Sequence, residues 1–162
     1  MTSHRFRWPL AVTPGGAGGG VVRLDPQDAA DRNLLLSILA VHASHAGALS
    51  ARPDPGVMLW YFFNTPLRAY HIETLKAVAF VEEEDGRLFL RDWLGPRPER
   101  LERLLPALIE RPVRDIETGF VPPEGWMPPG YRPEIDGEAR LFIRGLVPDG
   151  AVPLHFPDLL RT

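Results

Sequence analysis

The sequence predicts a single α/β (α+β) domain built round a mixed, mostly antiparallel sheet flanked by helices. Three observations carry that expectation. Residues 75–81 and 87–94 are apolar runs flanking Glu82-Glu83-Glu84-Asp85-Gly86. Asp-Gly is a strong hairpin signal, because a type I′ turn needs positive φ at both central positions. On either side of this pair, Leu34, Leu35, Ile38, Leu39 and His42, then Leu101, Leu104, Leu105, Leu108 and Ile109, recur at helical spacing. Finally, 162 residues with 44% hydrophobic and 24% charged side chains suit one buried core.

The same composition narrows the function classes. A net charge of −3 offers no basic field for nucleic acid, so none is expected as a partner. Arg5 and Arg7 beside Trp8 make only a small basic tip. No apolar run approaches the roughly 20 residues of a membrane span, and no membrane partner is expected. The opening residues lack the apolar stretch of a signal peptide. Without cysteine there is no disulfide, thiolate nucleophile or cysteine metal site, and a cytoplasmic address is the expectation.

Along the chain, residues 1–20 read as a flexible N-terminal segment. Their glycine run lacks the Gly-Lys-Ser/Thr ending of a phosphate loop. Residues 21–24 form a short strand. Asp25 as N-cap and Pro26 at the first helical position then start a helix that fades near Gly47. Residues 51–56 are a turn-rich break. Residues 57–63 are apolar on both faces, as a central covered strand would be. Residues 67–74 are ambiguous. Pro98 suits the first turn of the next helix, whereas Pro106 should kink or split it. Further strands are expected from 112 to 121 and 139 to 145, separated by a proline-stiffened loop. The domain spans 21–146, and 147–162 form an irregular apolar tail.

Taking Asp85-Gly86 as the turn, Val81 faces Leu90, Phe80 faces Arg91 and Ala79 faces Asp92. One face then carries Ala77, Ala79, Val81, Leu88, Leu90 and Asp92, the other Val78, Phe80, Phe89, Arg91 and Trp93. A one-residue slip would exchange them.

Residues 79–92, the Leu-rich helix after them, Gly119-Phe120-Val121-Pro122 and residues 136–145 together resemble a known pattern. It is that of the GNAT acyl-CoA-dependent N-acyltransferase superfamily, in particular the C-terminal GNAT-like half of two-domain bacterial acetyltransferases. The resemblance covers residues 21 to about 146. It implies a first strand and helical region, then three antiparallel strands, then a helix whose N-terminus takes the acyl-CoA pyrophosphate. Acetyl-CoA would be the co-substrate and a small-molecule amine the acceptor. Leu94, Gly95, Arg97 and Arg100 fall where the cofactor loop would be. The family usually has Arg/Gln-x-x-Gly-x-Gly/Ala there, whereas this stretch has one glycine, two prolines without N–H groups, and Glu99.

Asp92 is the leading catalytic candidate. On an apolar face its carboxyl would be desolvated toward the range of a general base, and the resemblance puts a base about there. The alternative is a solvent-facing strand end or a cap. Tyr131 is the matching candidate acid, or else a packed loop aromatic. His42 and His45 share helical spacing but have no third metal ligand in the sequence pattern, so no metal is expected. Trp60 to Phe63 would line either core or pocket. The apolar tail folds back or covers a second copy, and a homodimer is expected. Functionally, the expectation is an N-acyltransferase, intact or degenerate. The alternative is an inactive GNAT-like module that binds a partner or dimerises.

Overall fold

A computed structural model describes residues 2–16, 19–42, 44–46, 49–51 and 54–140. Nine strands are described: β1 (Thr2–Val12), β2 (Val21–Arg23), β3 (Ser44–Ala46), β4 (Leu49–Ala51), β5 (Arg68–Ile72), β6 (Ala77–Glu84), β7 (Arg87–Leu94), β8 (Val113–Thr118) and β9 (Glu134–Arg140). The helices are α1 (Ala29–Val41), α2 (Pro55–Asn64) and the single turn α3 (Leu105–Leu108). Seven strands make one sheet in the order β2-β5-β6-β7-β8-β1-β9, and β3 pairs with β4 separately. All pairs in the large sheet are antiparallel except β7 with β8.

The fold class expected from the sequence is therefore the one found. The central hairpin turns where expected. Asp85 and Gly86 have φ of 52° and 75°, and Glu84 faces Arg87.

Several elements differ from expectation. Residues 2–12 are not a flexible arm: β1 lies between β8 and β9, and its Phe6 and Trp8 are buried. Helix α1 starts three residues later than expected. Asp28 is its N-cap and accepts from the Ala30 N–H at 2.7 Å, while Asp25 closes the turn before it. Residues 57–63 are not a strand but the body of α2. Asp54 caps it through the N–H groups of Gly56 and Val57, and Pro55 occupies its first turn. The ambiguous stretch becomes β5. The Leu-rich helix is cut short, leaving a 3-10 turn at Leu101–Arg103 and then α3, with Pro106 inside it. The tail and residues 141–145 of the last expected strand lie outside the described residues.

Each sheet face has its own core. On one, α1 and α2 supply Leu35, Leu39, Met58 and Phe62 against Ala69, Val78, Phe80 and Leu94. On the other, Leu101, Leu105 and Leu108 cover Ala79, Val81, Leu88, Leu90 and Trp93. Trp126 and Phe120 extend this second core, their rings 6.1 Å apart. Among the described residues no helix is long and apolar enough to cross a membrane.

Candidate functional site

Strand β7 decides where Asp92 points. Val81 faces Leu90 as expected, but Phe80 faces Asp92 and Ala79 faces Trp93. Arg91 is thus an extra residue, a β-bulge, and its guanidinium turns to Glu82 (2.8 Å) over the Phe89 ring. The bulge moves Asp92 to the Val78–Phe80 face, beneath α1 and α2, and Trp93 to the opposite one. This corrects the sequence expectation, which put Asp92 on the face of Val81 and Leu90. Asp92 is 0% exposed, and its Oδ1 accepts from the Trp93 N–H at 2.8 Å. The strand β3 lies against β7.

The loop after β7 is pinned to the core at several points. Leu94 is buried in the core under α1 and α2. Gly95 has φ of 101°, and a Cβ there would lie 3.0 Å from Ala77 Cα and from the Lys76 carbonyl oxygen, so only glycine fits. Beyond it the loop's carbonyls are taken by tryptophans. Trp93 Nε1 donates to the Pro96 carbonyl and Trp126 Nε1 to the Pro98 carbonyl, both at 2.9 Å. Arg97 is half-buried; its Nε is buried without a partner, and burial pushes its pKa down. Arg100 is exposed at the start of the 3-10 turn and forms no capping bond there through its side chain.

Tyr131 sits in the loop leading to β9, on the opposite side of the sheet from Asp92. Its hydroxyl accepts from the Arg7 N–H at 2.8 Å, and burial pushes its pKa up. The two candidate catalytic residues are therefore not brought together. His42 ends α1, and His45 belongs to β3 rather than to the same helix. Among the described residues no three metal-ligating side chains cluster.

A concavity lies beside Tyr131. A cleft of about 670 Å³ opens between Trp8 of β1, the Leu101–Arg103 turn and the 124–131 loop. Trp8 meets Tyr131 edge-on at 5.8 Å, and Trp126 meets Trp93 at 5.5 Å. Glu102 and Glu124 stand on its rim.

No family model, curated protein or solved structure matches this chain.

Chemically, the β7 region holds a carboxyl group away from water, and Pro96 and Pro98 remove two N–H donors from its loop. The cleft pairs apolar walls with acid. Sequence reading named Tyr131 but missed this cleft, because its walls come from residues more than a hundred positions apart. The legible signal was the Trp-Met-Pro-Pro run after Glu124.

Proposed function

We propose that the chain is a GNAT-like module of the acyltransferase type, one that binds a partner or pairs with a second copy and does not itself hold acyl-CoA. One observation carries this reading. Where a pyrophosphate would need open backbone amides, Pro96 and Pro98 have no N–H to give. The segment that follows is a 3-10 turn and a four-residue helix rather than a long helix with a strong dipole.

The likeness to the superfamily is supported by the order of elements. From β2 onward, a strand, α1, the small β3–β4 pair and α2 precede three successive antiparallel strands, and a short helical crossover leads to the parallel strand β8; β1 is an additional strand ahead of this order. Fold likeness alone does not assign chemistry. A cytoplasmic address goes with the reading, since the chain has no cysteine to cross-link.

The buried carboxylate of Asp92 favours a second reading: N-acyl transfer from acetyl-CoA to a small amine, with Asp92 as base. Arg97 would then face the anionic co-substrate. Thermal-shift and calorimetric titration with acetyl-CoA separates the two. The module reading expects no shift at millimolar ligand. Saturable binding would overturn it and favour the enzyme, with about 2.7 kcal/mol of stabilisation at a hundred times the dissociation constant.

A further inference from the structure

The cleft beside Tyr131 has the build of a ligand site. Its volume, about 670 Å³, lies within the range of small-molecule pockets, roughly 300–1,000 Å³. Its walls include Trp8, Trp126, Met127 and Tyr131, and its charged lining among the described residues is Glu102 and Glu124. Among the described residues no lysine, arginine or histidine lines it. Neither glutamate forms a side-chain hydrogen bond or ion pair among the described residues.

The walls are fixed before any ligand arrives. Trp126 is held by its indole N–H to Pro98, and Tyr131 by its hydroxyl to the β1 backbone at Arg7. The Tyr131 N–H donates to the Pro128 carbonyl at 3.1 Å, which closes the proline-rich turn between them. A preorganised wall loses little entropy on binding.

We propose that this cleft binds an organic cation, a protonated amine carrying a small apolar body. The apolar part would rest against the tryptophan, tyrosine and methionine walls, and the ammonium would lie between Glu102 and Glu124. An anion would meet two carboxylates and no counter-charge. A neutral molecule of the same shape would keep the walls but lose the charge attraction. The proposal rests on the module reading in that it names the module's ligand class, and the two fail separately. Acetyl-CoA binding would sink the module reading and leave the cleft untouched.

The test uses the full chain and three probes of similar size: phenethylammonium, neutral 2-phenylethanol and anionic phenylacetate. Binding is followed by calorimetry and by tryptophan fluorescence. The amine should bind saturably and about tenfold more tightly than the alcohol, which is what two rim charge contacts supply together. Phenylacetate should bind more weakly still. The double variant Glu102→Gln/Glu124→Gln should bring amine and alcohol to similar affinity. Both positions are exposed, so an unchanged circular dichroism spectrum is expected beside that loss. Equal binding of amine and alcohol by the natural chain would overturn the proposal. So would an undiminished preference in the double variant, or no saturable amine binding up to about 10 mM, well beyond millimolar affinity.

Discussion

Glu83 shows how one side chain ties distant parts of this fold together. Burial alone would raise its pKa. The N–H groups of Glu110 and Arg111, at 2.7 and 3.0 Å, and the paired guanidinium of Arg68 hold its carboxyl below the ordinary 4.5 instead. Arg68 also reaches Glu110 at 2.8 Å, so the hairpin, β5 and the entry to β8 share one charge network. A carboxylate with a depressed pKa contributes stability that is present above its unfolded value. That stability is lost as the pH falls through the folded one. Glu83→Gln should therefore destabilise the chain at neutral pH by about 3 kcal/mol, the scale of breaking a buried pair. The gap to the natural chain should shrink in acid, as the pH falls through the lowered pKa and Glu83 itself is protonated. Urea melts at neutral and acid pH check this; a pH-independent gap would mean the network is not the cause.

At the scale of elements, the bulge at Arg91 has the largest consequence. The two-residue turn sets the register near Glu84 and Arg87, and a strict period of two then carries Asp92 to the wrong face. A bulge has no composition mark of its own; here Arg91 is drawn out by Glu82 and Phe89, a contact made only in the folded sheet. Helix α2 departs from the sequence expectation for a different reason. Seven consecutive apolar residues fit a buried strand as well as a helix, and Asp54-Pro55 reads equally as part of a turn. Strand β1 is written in a period of two, Phe6, Trp8 and Leu10 alternating with Arg5, Arg7 and Pro9; the basic residues and the glycine run after it give the stretch the look of a solvated arm, although Phe6 and Trp8 lie in the core. Trp8→Ala should thus cost about 3–5 kcal/mol in denaturant unfolding, whereas a flexible arm would lose almost nothing.

At the scale of the whole molecule, the sheet is covered unequally. One face is sealed by the 101–108 segment and Trp126. On the other, α1 and α2 leave Trp60 58% and Phe63 43% exposed, and Val41 is exposed as well. The Arg32 guanidinium lies 6.0 Å from the Phe63 ring, so these two helices present their outer residues side by side. Contiguous exposed aromatics of this kind mark association surfaces, and a two-fold pair is the commonest solution. Sedimentation equilibrium at micromolar concentration should therefore give a mass above the 18.1 kDa of one chain. The double variant Trp60→Ser/Phe63→Ser should return it to that value. A natural chain at 18.1 kDa would remove the homodimer.

Read alone, the sequence determined what local chemistry can encode. This includes the α/β class, the hairpin turning at Asp85-Gly86, the helical stripe of Leu34, Leu35, Ile38 and Leu39, and the break that Pro106 makes in its helix. Each rests on residues within a few positions of one another, where φ preference and side-chain period act directly. Tertiary structure decided the rest. It put β1 beside β8, shifted Asp92 across the sheet, closed the loop carbonyls onto Trp93 and Trp126, and brought Glu102, Glu124, Trp8 and Tyr131 round one cleft. Those outcomes depend on pairing and packing between residues far apart in the chain, and no local preference carries that information.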